Sequence, residues 1–246
     1  MKNPQQTRDV TICRACGFVA IDELTADLYR GKTSIDEIPG AVVRAGTMER
    51  RGREFHMARL ALRILGRPSS DVLVYGAGRS LDNHHIAKLP KVGHVAIGDI
   101  MNARDDMEFH DTNLPATRSF DIVIASEVIE HFRDPATDFP QLLQFVAGDG
   151  ILICGTSLRG KGALSSQRYI FFADHTALYS PESLIRIAEA NGMLIDFRSP
   201  KGVGPRKRYV ILTKSPAVMR RVTSYFGYET LAPGENRRTP RGDLAD

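Results

Sequence analysis

Glu127, Glu130 and His131 stand in the string EVIEH, at positions i, i+3 and i+4. On a helix, residues at that spacing share one face. Two carboxylates and an imidazole together form a donor set for a divalent cation. A second reactive pair, Asp174 and His175, sits in RYIFFADHTALYSPESL. An imidazole titrates near neutrality and a neighbouring carboxylate can fix its tautomer, which makes His175 the first candidate for a general base. Gly76 and Gly78, in DVLVYGAGRSLDN, form a bend where backbone can come close to a ligand. Asp99 follows about twenty residues later, where a carboxylate can accept both hydroxyls of a ribose. Asp111 comes at the end of MEFHD, within reach of an adenine amino group, with Thr112 and Asn113 as alternatives.

The elements that must position these groups follow from apolar patterning. DVLVYGAG, VGHVAIGDI, MEFHD, FDIVIASEVI and GDGILICGTS are five short apolar runs. Helical segments such as SLDNHHIAKL and DPATDFPQLLQFVA lie between most of them. Strands alternating with helices predict a parallel sheet covered on both faces. SPESLIRIAEANG predicts a helix with Ser180 as N-cap, Pro181 at its first position and Gly192 past its end. MLIDFRS and KRYVILTK are joined by a connection too short for a crossover helix, so they pair antiparallel. A further helix is expected from about 46 to 65, and one or two short strands near TICRACGFVAI.

The chain has 246 residues, 42% hydrophobic and 25% charged, as in an ordinary globular protein. The net charge of +4 concentrates in RAGTMERRGREFHMARLALR and GPRKRYVILTKSPAVMRR. Such stretches suit nucleic acid or acidic lipid, or simply a solvated face. No apolar run approaches a membrane span, and no secretory signal opens the chain, so a cytoplasmic protein is expected. Three cysteines make no disulfide framework. Cys13 and Cys16 form half a zinc knuckle, for which a site shared across a homodimer is left open. His84 and His85 are expected at a helix surface. Gly76 and Gly78 do not complete a dinucleotide fingerprint, because position 81 is Leu81, and no lysine completes a P-loop.

Over about 71–214, the ordered set VLVYGAG, AIGD, HDTNLP, FDIVIASEVIEHF and the closing antiparallel pair resembles the class I S-adenosylmethionine-dependent methyltransferases. The resemblance implies a Rossmann-like, seven-stranded, mostly parallel sheet with an antiparallel last strand and helices on both faces. It implies S-adenosylmethionine as cofactor, held by Tyr75, Gly76, Ala77, Gly78, Asp99, Ile100, Asp111, Thr112, Ser126 and Glu127, the last two on the methionine side. Two positions depart from the family pattern: Val74 replaces an acidic residue, and Ser80 replaces a third glycine, where a serine can cap the next helix. Expected domains are an N-terminal extension or cap over 1–66, a cofactor-binding domain over 67–215 and a tail over 216–246.

The expected activity is O-methylation of a small molecule or glycan intermediate, with His175, Asp174 and His131 as catalytic candidates. No metal is expected, with Glu127, Glu130 and His131 as the alternative ligand set. A nucleic-acid methyltransferase and a non-catalytic binding protein of the same fold are the competing readings.

Overall fold

The computed structural model describes residues 7–21, 45–102, 104–160, 162–172, 174–199 and 207–227. Of the tail expected over 216–246, residues 216–226 are instead a helix packed on the core through Val218, Met219 and Val222, and 228–246 fall outside the described residues, as does the stretch 22–44 of the expected cap. In chain order the elements are β1 (Val10–Ile12), β2 (Val19–Ile21), α1 (Arg53–Leu65), β3 (Ser70–Tyr75), α2 (Asp82–Ile86), β4 (Val92–Asp99), β5 (Glu108–Asp111) and β6 (Phe120–Ser126). They continue with α3 (Pro135–Leu143), β7 (Val146–Ser157), β8 (Ala177–Leu178), α4 (Pro181–Ala190), β9 (Leu194–Arg198), β10 (Lys207–Thr213) and α5 (Pro216–Phe226).

Seven strands form one sheet in the order β5-β4-β3-β6-β7-β10-β9. Neighbours from β5 to β7 are parallel, and β10 runs antiparallel to both β7 and β9. This is the expected sheet. Its central runs are near-continuously apolar because both faces are covered. Leu73, Val123, Leu152 and Val210 point to one face, beneath Phe139 and Leu142 of α3 and Leu184 of α4. Val72, Val74, Ile122, Ile124, Ile151 and Ile153 point to the other, beneath Phe55 and Met57 of α1, Ile86 of α2 and Val218 of α5. α1 starts later than its sequence pattern suggests, at Arg53, and ends on Gly66 in the left-handed conformation. Ser180 caps α4 by accepting from Ser183 N, as expected.

Three local expectations are corrected. The run FDIVIASEVI stops being a strand at Ser126, because Glu127 takes φ 57°. The helix expected in SLDNHHIAKL is only Asp82–Ile86, and Leu81, not Ser80, stands at its N-cap. α3 ends at Leu143, and Val146 already pairs with Phe120 as the start of β7. Among the described residues, no helix is long and apolar enough to cross a membrane.

A second, three-stranded sheet joins β1, β2 and β8. The N-terminal hairpin thereby pairs with the segment that follows His175.

Candidate active site

The carboxyl edge of the parallel strands carries the glycine bend. Gly76 has φ 66° and Gly78 φ 50°, a region that side chains rarely adopt. A Cβ on Gly76 would stand 2.5 Å from Val128 Cγ2, so that position has no room for one. Gly76 N donates to Gly98 O at 2.7 Å, and Gly78 N donates to Asp99 Oδ2 at 3.0 Å. The other oxygen of Asp99 accepts from Ile100 N at 2.8 Å. Burial raises the Asp99 carboxyl from its ordinary value, against the lowering pull of those two amides.

The adjacent strand end is built by similar bonds. Thr112 N donates to Asp99 O at 3.0 Å. Asp111 Oδ1 accepts from Asn113 N at 2.9 Å and from its Nδ2 at 2.8 Å. Ile100 and Leu114, beside these carboxylates in the chain, are exposed apolar residues. Tyr75 and Ala77 are buried, and the Tyr75 hydroxyl bonds Thr112 while burial pushes it up to about 12. Val74 is core. Ser80 does not cap α2: its hydroxyl donates to Glu54 Oε2 at 3.1 Å and accepts from Gly46 N at 3.2 Å, tying the start of α1 to the bend. Its bond to Asp82 N is long, at 3.4 Å.

Beyond β6, the string EVIEH is not one helix. Only Ile129–His131 form a single 3-10 turn, and Glu127 lies outside it. Glu127 N donates to Gly155 O at 2.7 Å, and Arg53 Nη1 approaches its carboxylate at 3.4 Å. Two polar atoms here, Ser126 Oγ and Arg53 Nε, are buried without a hydrogen-bond partner. Arg53 drew no notice in the sequence, since nothing local relates position 53 to position 127.

Glu130 is fully buried. The Tyr169 hydroxyl donates to its Oε1, and the Thr156 hydroxyl to its Oε2 at 3.1 Å. Burial pushes Glu130 up to about 7, against the lowering effect of the two hydroxyls. Tyr169 also reaches Glu127 Oε2, at 3.4 Å. Glu127 and Glu130 thus meet through a tyrosine from another loop rather than through a helix face.

His131 Nδ1 donates to Asp174 O at 2.9 Å and lies 3.7 Å from the Asp174 carboxylate. His175 Nδ1 donates to Tyr169 O at 2.7 Å. The tautomer of His175 is therefore fixed by Tyr169, and Asp174 serves His131 instead. The two imidazoles stand edge to face with centroids 5.0 Å apart. Burial, then the neighbouring His131, pushes His175 down to about 4, so it is neutral at pH 7 with its Nε2 lone pair available, but it is a weaker base than the near-neutral imidazole expected from the sequence.

The N-terminal hairpin holds this loop. Ile21 N donates to Thr176 O and Thr176 N to Glu130 O, each at 2.9 Å. Arg159 Nη1 donates to Gly17 O at 2.6 Å, and Phe18 packs on Tyr179 with centroids 5.3 Å apart. Cys13 and Cys16 flank the hairpin turn as free thiols, and the backbone N–H of Cys16 holds the Cys13 thiol below its ordinary value. His84 bonds Asp106 at 2.6 Å and His85 bonds Thr47 O at 2.7 Å; neither joins the site.

Residues 49–195 match a family model described as a methyltransferase domain. The chain belongs to the methyltransferase-domain family. The class I S-adenosylmethionine-dependent methyltransferase family expected from the sequence is borne out. Solved structures similar to this methyltransferase include mitomycin 7-O-methyltransferase MmcR, at 14% identity and TM-score 0.52, over 66% of this chain and 53% of that one. A 1,6-didemethyltoxoflavin-N1-methyltransferase from Burkholderia thailandensis, solved with its named substrate and S-adenosylhomocysteine, is 16% identical at TM-score 0.47, over 64% and 75% of the two chains. The DhpI–SAH complex is 18% identical at TM-score 0.46, over 65% and 84%. At these identities the likeness is one of fold. No curated protein sequence matches the chain.

Proposed function

We propose that this methyltransferase carries a methyl group from S-adenosylmethionine to an oxygen of a small molecule or glycan intermediate. Bound S-adenosylmethionine supplies a methyl activated by its sulfonium. The protein's task is then to align the acceptor in line with it and to exclude water.

Asp99 spends one lone pair of each oxygen on a backbone amide and keeps the others for the ribose hydroxyls. Asp111 and Asn113 present polar atoms to the adenine edge, and Ile100 and Leu114 offer it apolar contact. At the methionine end, Arg53 takes the carboxylate. Ser126 and Glu127 take the ammonium, supplying the polar contact that Val74 cannot. The single observation carrying this assignment is the pair of buried, unpartnered polar atoms, Ser126 Oγ and Arg53 Nε, on the edge where Asp99 holds the glycine bend. A buried polar group without a partner is costly, and a ligand group relieves that cost.

On the acceptor side, the Nε2 atom of His175 receives the proton that leaves the acceptor hydroxyl, with His131 beside it. The hairpin paired to β8 covers the loop bearing His175. The test is incubation with methyl-labelled S-adenosylmethionine and fractionated cell extract, followed by identification of what acquires label. Label on an oxygen of a small metabolite or sugar is expected. Label confined to RNA, with salt-sensitive binding, would replace the acceptor. No binding of S-adenosylmethionine by calorimetry would remove the activity altogether.

A further inference from the structure

We infer that Glu130, His131 and His175 hold a divalent first-row cation, zinc or one of its neighbours, beside the methyl-acceptor position. One ligand atom from each residue lies within 4.8 Å of the others. The three come from two separate parts of the chain: the turn after β6 supplies Glu130 and His131, and the loop before β8 supplies His175. Their convergence is a property of the fold, not of a local run of charge.

The orientation of both imidazoles points the same way. A carbonyl oxygen only accepts, so Nδ1 of His131 and Nδ1 of His175 each carry the hydrogen. That leaves Nε2 of each ring as an unprotonated donor. A ring fixed through Nδ1 to a carbonyl, with Nε2 turned to the ion, is the usual arrangement of a metal-binding histidine. The groups bonded to the oxygens of Glu130 are hydroxyls, Tyr169 and Thr156, which fix the carboxylate without neutralising it. Two imidazoles and one carboxylate suit zinc, cobalt, nickel or manganese better than magnesium or calcium, which take all-oxygen sets. The nearby charge of Arg8 opposes a cation, and the Asp174 carboxylate beside His175 offsets it.

Three protein ligands leave positions open for an acceptor oxygen. A hydroxyl bound there loses its proton more readily, the proton passing to solvent; in the metal-loaded protein Nε2 of His175 is a ligand, and it serves as the base proposed above only in the metal-free protein. The cation site stands on the three side chains alone. Only its role beside the acceptor rests on the function proposed above.

The full chain, stripped with a chelator and kept reduced, is titrated with cobalt(II) in the absence of S-adenosylmethionine. We expect one equivalent to bind with a visible ligand-field spectrum of nitrogen and oxygen donors. Affinity should fall at least tenfold in Glu130→Gln, His131→Ala and His175→Asn. Retained calorimetric binding of S-adenosylmethionine by the three variants shows that they fold. A sulfur-to-metal charge-transfer band that disappears in Cys16→Ser would place the ion on the N-terminal cysteines and overturn the proposal. So would cobalt affinity unchanged in all three variants, or no binding by the wild type. Loss of S-adenosylmethionine binding with cobalt binding intact would sink the methyl-transfer function instead and leave the cation site standing.

Discussion

Asp99 Oδ2 accepts the amide hydrogen of Gly78 at 3.0 Å, so the carboxylate proposed to grip the ribose also holds the bend that shapes the crevice. The two features were separate signals in the sequence, and the fold makes them one structure. Ile100 N bonds the second oxygen, which fixes the carboxylate in one orientation before any ligand arrives. A preorganised acceptor loses little conformational freedom on binding.

Asp99→Ala is therefore expected to weaken S-adenosylmethionine binding by at least about tenfold, roughly 1.4 kcal/mol. Asp99→Asn should fall between, since its amide oxygen can keep only one of the two backbone bonds. Calorimetry on both variants checks this, and wild-type affinity in Asp99→Ala would mean that the nucleoside lies elsewhere.

Arg53 lies at the first turn of α1, 3.4 Å from Glu127. Arg53→Ala should weaken S-adenosylmethionine more than it weakens adenosine, because only the former carries the methionine carboxylate. Comparing the two ligands across wild type and variant isolates that contact. An equal loss for both would make Arg53 a support for Glu127 rather than a ligand contact.

His175→Asn should lower turnover by on the order of a hundredfold while leaving cofactor affinity unchanged. His175 bonds the carbonyl of Tyr169 and no group of the nucleoside crevice. Single-turnover rates and calorimetry, read together, separate catalysis from binding; a parallel fall in both would assign His175 to structure.

Glu54 gives a pH dependence of stability. Burial, with the neighbouring Asp82, pushes its carboxyl up to about 7 in the folded protein. The folded state therefore binds this proton more tightly than the unfolded chain. Stability from this group is full below the ordinary glutamate range and is lost as pH rises toward and through 7. Glu54→Gln should flatten the decline in denaturation midpoint between pH 5 and pH 8. An unchanged slope would show that Glu54 titrates normally.

Much of the fold was legible because its signals are local. Apolar runs of strand length, punctuated by glycine and proline, determined where the central strands lie. The short link between MLIDFRS and KRYVILTK determined that the last pair is antiparallel. Ser180, Pro181 and Gly192 bracketed α4 because capping depends on residues three or four positions apart. Element ends were less legible. Where β6 stops depends on the left-handed backbone of Glu127, and nothing in an apolar run marks that residue.

The sequence by itself determined the order of elements, the glycine bend and the carboxylates at the strand ends, since all of these follow from neighbours in the chain. Only the tertiary structure decided partnership. It gave Asp174 to His131 and Tyr169 to His175, set Arg53 against Glu127, and turned Ser80 from a helix cap into a tie to Glu54. It also laid the N-terminal hairpin along β8, and brought His175 to Glu130 and His131. Apart from Tyr169 and His175, which are six positions apart, these contacts join residues tens of positions apart, held together by burial and backbone pairing. Side-chain type and local spacing carry no record of such distances, so candidate residues other than Arg53 could be named in advance and their connectivity could not.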